Sequence, residues 1–424
     1  MNKEKNIGIK SWVEVPEGSD FPLWNLPFGI IKSHFSGPVA ATRIGDTIVD
    51  LAILAEAGFF SFLGENAKVF KRETLNDFIA LGRPAWRRVR EKLLEVFAEG
   101  STDLQKSVQF SREALLSAKE VQMLLPVKIG DYTDFYSGIE HAINVGTMFR
   151  DPNNALLPNY RHLPVAYHGR SSSIAVSGTN FHRPMGQVTT DNVTPIFTAS
   201  RNLDFELEMA FVVGQPNKIG DRVSTSEAED HIFGMLLFND LSARDIQRWE
   251  YVPLGPFLAK NFGSVVSPWI VTLDALEPFL TAGPVQEPAV LPYLQYEGKK
   301  NYDIKLEVWV KPEDVEEKRI CLSNHSYLYW NICQQLAHHT INGCNMNIGD
   351  LCASGTISGP EPGSYGSLLE LTWNGTKPIL YADGKSRLFL EDGDTVMMKA
   401  FAEKDGLHIG FGDCITTVLP AKEL

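Results

Sequence analysis

Glu206 and Glu208 stand two residues apart inside RNLDFELEMAFVV, an otherwise apolar, strand-like run. Side chains at i and i+2 of a strand leave the same face about 7 Å apart, so both carboxylates point one way while Phe205, Leu207 and Met209 point the other. That arrangement offers two oxygen ligands to one hard cation. The same alternation also describes a half-exposed strand with a wet acidic face, its ordinary reading.

Three further stretches hold side chains suited to chemistry. GDYTDFYSGIEHAINVGTMFR contains Asp134, Tyr136, His141 and Arg150, which could supply a metal ligand, a hydroxyl contact, a general base and a carboxylate clamp. Histidine titrates near neutrality and is the natural base there, although a lone one beside Glu140 is more often a surface or helix-end residue. FNDLSARDIQRWEYVPLGPFLAKNFGSVVSPW places Asp240 at the end of an apolar strand, with Arg244 and Lys260 as fixed cations and Gln247 and Tyr251 as neutral donors. Such a set holds an oxyanion or a carboxylate. Asp245 and Glu250 read instead as helix-surface partners of Arg244. In GDLCASGTISGPEPGSYGSLLEL, Gly355 and Gly359 flank Thr356, and the loop is expected to lead into a strand carrying Glu370. Its glycine spacing is not that of a phosphate loop. Adjacent His338 and His339 point about 100° apart on a helix and read as structural.

Brought together, Asp134, Glu206, Glu208 and Asp240 would form a charged oxygen cage. Two like charges at about 4 Å repel by about 4 kcal/mol at an effective dielectric near 20, so the cage needs a cation or must take up protons. An all-oxygen set favours Mg²⁺ or Ca²⁺ over zinc.

The elements that must position these groups divide into two parts. Residues 1–125 read as a small domain with a hairpin, ATRI-GD-TIVDL, turning at Gly45-Asp46, followed by helices. The clearest helix begins after Pro84, buries Trp86, Val89, Leu93, Leu94 and Phe97, and stops before Gly100. Asp50 and Glu56 read as solvated. Residues 126–424 read as a large β-rich domain of short segments such as SSSIAVSGT, VTPIFTA, NYDIKLEVWV and GDTVMMKAF, broken by glycine, proline and asparagine. A Pro-spaced excursion runs from Pro278 to Pro292, and one helix is expected over HSYLYWNICQQLAHHTINGCN, ending near Gly343.

Lys and Arg number 39 against 52 Asp and Glu, and no basic stripe forms, so nucleic acid is not the expected partner. No apolar run approaches the roughly 18 residues of a membrane helix, and the opening MNKEKNIGIKSWVEV lacks the apolar centre of a secretory signal, which predicts a cytoplasmic protein away from membranes. Five cysteines without C-x-x-C spacing fit reduced packing residues.

Over nearly its whole length the chain resembles the fumarylacetoacetases, hydrolases of the last step of tyrosine and phenylalanine breakdown. DFPLWNLPFG, GDYTDFYS, LLPNYRHLPVAYHGR, LDFELEMAF, NDLSARDIQRWEYVPLGPFLAK, ASGTISGP and GFGDC carry the likeness. It implies a mainly β protein: an SH3-like N-terminal domain with helices, a large C-terminal mixed β-sandwich roll around the site, and a homodimer. It implies Asp134, Glu206, Glu208 and Asp240 as metal ligands, His141 as base and Glu370 as the acid orienting it. Substrate contacts are implied for Tyr136, Arg150, Tyr167, Gln247, Tyr251 and Thr356, and stabilisation of negative charge for Arg244, Gln247 and Lys260. A subsidiary metal position is implied around Lys260 and Ser264, the latter a serine where threonine is expected in animal members.

The implied reaction is metal-dependent hydrolysis of a carbon–carbon bond of 4-fumarylacetoacetate, a diketo diacid, to fumarate and acetoacetate. Water activated by His141 attacks the diketone at the cation, and an enolate leaves. An acylpyruvate hydrolase or an oxaloacetate-type decarboxylase is the nearer alternative. A non-catalytic metal- or carboxylate-binding β protein is the more distant one, and the presence of both His141 and Glu370 speaks against it.

Overall fold

The structure is a computed structural model that describes residues 8–34, 37–382 and 384–423; residues 1–7 of the opening stretch lie outside them. Most of its regular elements are strands, arranged in mixed sheets, with short helices between them. The first sheet has five antiparallel strands in the order Leu115–Ser117, Thr47–Asp50, Val39–Ile44, Phe28–Lys32 and Gln122–Leu124. The expected hairpin is present, turning through Gly45 at φ 56°.

A central eight-stranded sheet positions the polar stretches. Along it run Ala166–His168, Tyr132–Phe135, Leu351–Ala353, Leu207–Val213, Ile232–Asp240, Ser264–Val266 and Ile174–Val176, while Val271–Thr272 also pairs with Ile232–Asp240. Leu351–Ala353 lies parallel to Tyr132–Phe135, and Ser264–Val266 parallel to Ile174–Val176. A third sheet of six strands centres on Lys305–Lys311, Thr395–Lys404 and Cys414–Leu419.

Both faces of the sheet's central strands are covered. Leu207, Met209, Phe211 and Leu237 share a core with Leu306, Val308, Val396 and Met398 of the six-stranded sheet. Ala210, Val212, Leu236 and Phe238 point the other way, into a core with Phe28, Phe78 and Val89 from the N-terminal part. Phe233 is the aromatic junction, 5.8 Å from Phe28 and edge-on to Trp86 at 5.0 Å between ring centres. Each large apolar side chain buried so contributes about 1.5–3 kcal/mol. Arg90 adds a polar tie, its buried guanidinium donating to the Trp24 carbonyl and, at 2.8 Å, to that of Asn25. Leu207–Val213 is therefore buried along its whole length, and the half-exposed reading of this strand does not hold.

Other local expectations also shift. The helix after Pro84 spans Arg83–Phe97 and buries the expected stripe. Asp50 is buried rather than solvated, because it caps the helix Leu51–Glu56 by accepting from Ala52 and Ile53. The later helix covers only Ile332–Thr340, since Asn331 caps it and Tyr329 is drawn to the Ser137 carbonyl. Glu370 lies on a short helix, Leu368–Leu371, not on a strand. All five cysteines are free, and none of the helices among the described residues is long and apolar enough to cross a membrane.

Candidate active site and metal centre

Sheet register brings the acidic side chains to one place. Asp134 pairs with Ala353, Ala353 with Ala210, and Glu208 with Phe238, two residues before Asp240; the amide of Asp240 donates to the Glu206 carbonyl. All four carboxylates are buried, and ligand oxygens from Asp134, Glu206, Glu208 and Asp240 lie within 4.8 Å of one another. Asp134 Oδ1 and Glu208 Oε1 have no hydrogen-bond partner although fully enclosed. Enclosed anionic oxygens without donors are what a hard divalent cation satisfies, so the residues fit such an ion.

The electrostatics divide the cage. Burial, then the neighbouring Asp240 charge, pushes Asp134 well above the usual carboxylate range; burial and then Asp134 do the same to Glu208. Burial raises Glu206 too, but Lys260, Arg244 and His141 outweigh it and hold Glu206 below that range. Lys260 Nζ donates to Glu206 and, at 2.7 Å, to Asp240 Oδ2. Although burial opposes its charge, Asp240 and Glu206 raise the Lys260 pKa. As an ammonium Lys260 has no lone pair for a metal and serves as a counter-charge. Ser264 Oγ donates to Asp240 Oδ1 at 2.7 Å and Tyr167 Oη to Asp240 Oδ2 at 3.2 Å.

Gly355 closes the cage from the side. Its N–H donates to Glu208 Oε2 at 3.0 Å, with φ at 76°, and a Cβ there would stand 2.1 Å from the Phe135 carbonyl oxygen. Only glycine lets the loop come this close.

His141 sits in the first turn of the helix Ile139–Phe149, with Nδ1 2.7 Å from Glu370 Oε2. Glu370 is also held by Asn144 Nδ2 at 2.9 Å, Ser358 Oγ at 2.9 Å and Ser367 Oγ at 2.8 Å. Burial works against its charge, but His141 and these donors keep its pKa below the ordinary value. With Nδ1–H given to this carboxylate, Nε2 keeps its lone pair. The Tyr136 ring stands edge-on to His141, 5.3 Å between centres.

One cavity of about 500 Å³ gathers these groups. Asp134, Tyr136, His141, Arg150, Tyr167, Glu206, Arg244, Gln247, Tyr251, Lys260 and Thr356 line it. Glu208, Asp240, Ser264 and Glu370 are buried and not part of that lining. Tyr251 is half exposed, and Arg150 donates to the Ala155 carbonyl at 2.7 Å. Arg244 bonds neither Asp245 nor Glu250: its Nη1 lies 2.8 Å from Glu206 Oε1, its Nε 2.9 Å from Asp204 Oδ2, and its buried Nη2 has no partner. Asp245 and Glu250 instead accept from backbone N–H groups, of Arg201 and of Phe257 and Ala259.

Asn144, Ser358, Ser367 and Asp204 escape the sequence reading, although signals exist for three of them. Asn144 lies three residues after His141 on one helix face, Ser367 and Glu370 form an S-x-x-E capping pattern, and Asp204 continues the alternation of Glu206 and Glu208.

The family model described as fumarylacetoacetase N-terminal matches residues 24–126, and that described as fumarylacetoacetate hydrolase C-terminal matches residues 132–419. The chain belongs to the fumarylacetoacetase family. It is 50% identical to the fumarylacetoacetase of Homo sapiens over 414 residues, covering 97% of this chain and 99% of that one. It is 52% identical to the fumarylacetoacetase of Emericella nidulans over 430 residues, covering 98% and 100%. Among solved structures, a fumarylacetoacetate hydrolase from psychrophilic Exiguobacterium antarcticum shares the fold, with a TM-score of 0.51 at 16% identity over 94% of this chain and 100% of that chain. The fumarylacetoacetase likeness thus covers both the N-terminal part and the sheet that holds the cage.

Proposed function

We propose that this chain hydrolyses 4-fumarylacetoacetate to fumarate and acetoacetate. One observation carries the reading: a buried His141–Glu370 pair and a four-carboxylate cage meet at a single cavity, in a chain half identical from end to end to fumarylacetoacetases. Asp134, Glu206, Glu208 and Asp240 hold the cation, Mg²⁺ or Ca²⁺. When bound, that ion polarises the diketone carbonyls and lowers the energy of negative charge developing on them.

The residues divide the remaining work. His141 Nε2 takes a proton from water, whose oxygen bonds to the carbonyl carbon on the fumaryl side, while Glu370 stabilises the positive charge that forms on the imidazole. The bond from that carbon to the central methylene then breaks, and its electron pair leaves as an enolate. Arg244 and Lys260, with Gln247, stabilise the negative oxygen, and the enolate carbon takes a proton to give acetoacetate. Arg150, Tyr136, Tyr167, Tyr251 and Thr356 hold the diacid in place. Ser264 steadies Asp240.

The same family membership supports reading residues 1–125 as an SH3-like domain and 126–424 as a β-sandwich roll, in a homodimer. The test follows loss of diketone absorbance with purified protein, with and without chelator and with each ion added back. Absence of turnover with either ion overturns the reading.

A further inference from the structure

We infer that Asp204 is a positioning residue, which from beneath the cavity holds the Glu370-bearing helix and the Arg244 guanidinium in fixed relation to each other. The inference rests on the functional reading above and adds to it a residue that does not touch substrate.

Asp204 closes the short strand Leu203–Asp204, which pairs with Ser242–Ala243 just before Arg244. It is fully buried and absent from the cavity lining. Its Oδ1 accepts from the amides of Phe205 at 2.8 Å and Leu368 at 2.7 Å. Its Oδ2 accepts from the amide of Leu369 at 3.0 Å and from Arg244 Nε at 2.9 Å. Four donors converge on one carboxylate, two of them from the first turn of Leu368–Leu371. A helix of one turn has too few internal bonds to fix its own place, so its anchor decides where Glu370 lies. The fourth donor fixes Arg244 at Nε, which leaves Nη1 for Glu206, while the buried Nη2 has no partner. One carboxylate thus sets both the group behind the base and a group that meets developing charge.

An amide cannot replace it. Asparagine keeps one acceptor oxygen but presents N–H groups where the other must accept, opposing donor to donor at either the helix amides or Arg244.

The test compares wild type, Asp204→Asn and a control, Asp394→Asn. Asp394 is an equally buried aspartate that holds Arg387 at 2.8 Å, just before the strand Thr395–Lys404. For Asp204→Asn, kcat should fall about 100-fold while KM stays within about threefold, because the displaced groups act on charge that exists only in the transition state. Divalent-ion affinity, read by calorimetry, should also stay within about threefold, since Asp204 bonds none of the four ligand side chains and Lys260 still holds Glu206. Asp394→Asn should lose thermal stability and keep its kcat. Unchanged kcat in Asp204→Asn overturns the inference, as does a loss of kcat matched by an equal loss of ion affinity, which marks general collapse of the cage. Should Asp204→Asn not fold, Asp204→Glu replaces it under the same criteria, keeping the charge but moving it by one methylene. Should wild type leave the diketo acid intact, the functional reading fails by itself. Binding of a phosphinate diacid mimic of the tetrahedral intermediate then decides Asp204: about tenfold weaker binding by Asp204→Asn sustains it, and equal binding overturns it.

Discussion

His141 Nδ1 lies 2.7 Å from Glu370 Oε2, two buried side chains separated by 229 positions in the chain. The helix Ile139–Phe149 supplies one and the turn Leu368–Leu371 the other, so orientation of the base depends on how two distant segments dock. Glu370→Gln keeps the shape and removes the charge that fixes the tautomer. Its kcat should fall by about 10²–10⁴-fold with KM little changed, as when the acid of a catalytic triad is neutralised. Steady-state loss of diketone absorbance measures it.

Metal uptake should release protons. Burial and mutual repulsion raise Asp134 and Glu208, so the metal-free chain retains protons there above the ordinary carboxylate value. A carboxylate raised in the folded state costs stability as pH climbs from its unfolded value through its folded one. The ion removes that cost, so its gain in Tm should be smaller near pH 5 than near pH 7.5, and binding should liberate protons. Calorimetry in two buffers of different ionisation enthalpy, beside thermal melts, reads both effects.

Lys260→Met strips the counter-charge from Glu206 and Asp240. Removing one partner of a buried ion pair typically costs about 3–5 kcal/mol, and an added divalent ion should restore part of it. The Lys260 pKa is raised in the folded chain, so its contribution is complete below the ordinary lysine value and is lost only as pH rises through the folded one. Denaturant curves at neutral pH should therefore show the whole difference.

Gly355→Ala tests the close approach of the loop. With φ at 76° and the Phe135 carbonyl 2.1 Å from the added carbon, the loop must retreat and withdraw its N–H from Glu208. Strain of this kind costs of order 1–3 kcal/mol, and divalent-ion affinity should drop alongside stability. Melting curves and ion titration of the same preparation check it.

Much of the site is legible in the order of residues alone. Glu206 and Glu208 stand out because a strand alternates, and Asp240 because an apolar run ends at it. The pairing of His141 with Glu370 has no local mark, since no spacing rule spans such a separation; family likeness alone supplies it. Burial of both faces of Leu207–Val213 is also hidden, because alternation shows which side chains share a face and not what covers that face. The helix under Glu370 is hidden only in part. Ser367 three residues ahead is a start signal, but the anchor that makes one turn stable is Asp204, 164 positions before Leu368.

Leu351–Ala353 lies between Tyr132–Phe135 and Leu207–Val213, parallel to the first and antiparallel to the second. Asp134 therefore reaches Glu208 only through a strand that the ribosome makes long after both. During synthesis the nascent chain carries all four ligands by residue 240, yet the complete cage waits for residue 353 and the turn at Gly355. Loop closure over such distances is slow. The acidic cluster, present in sequence by residue 240, thus becomes a closed cage only after more than a hundred further residues have been made.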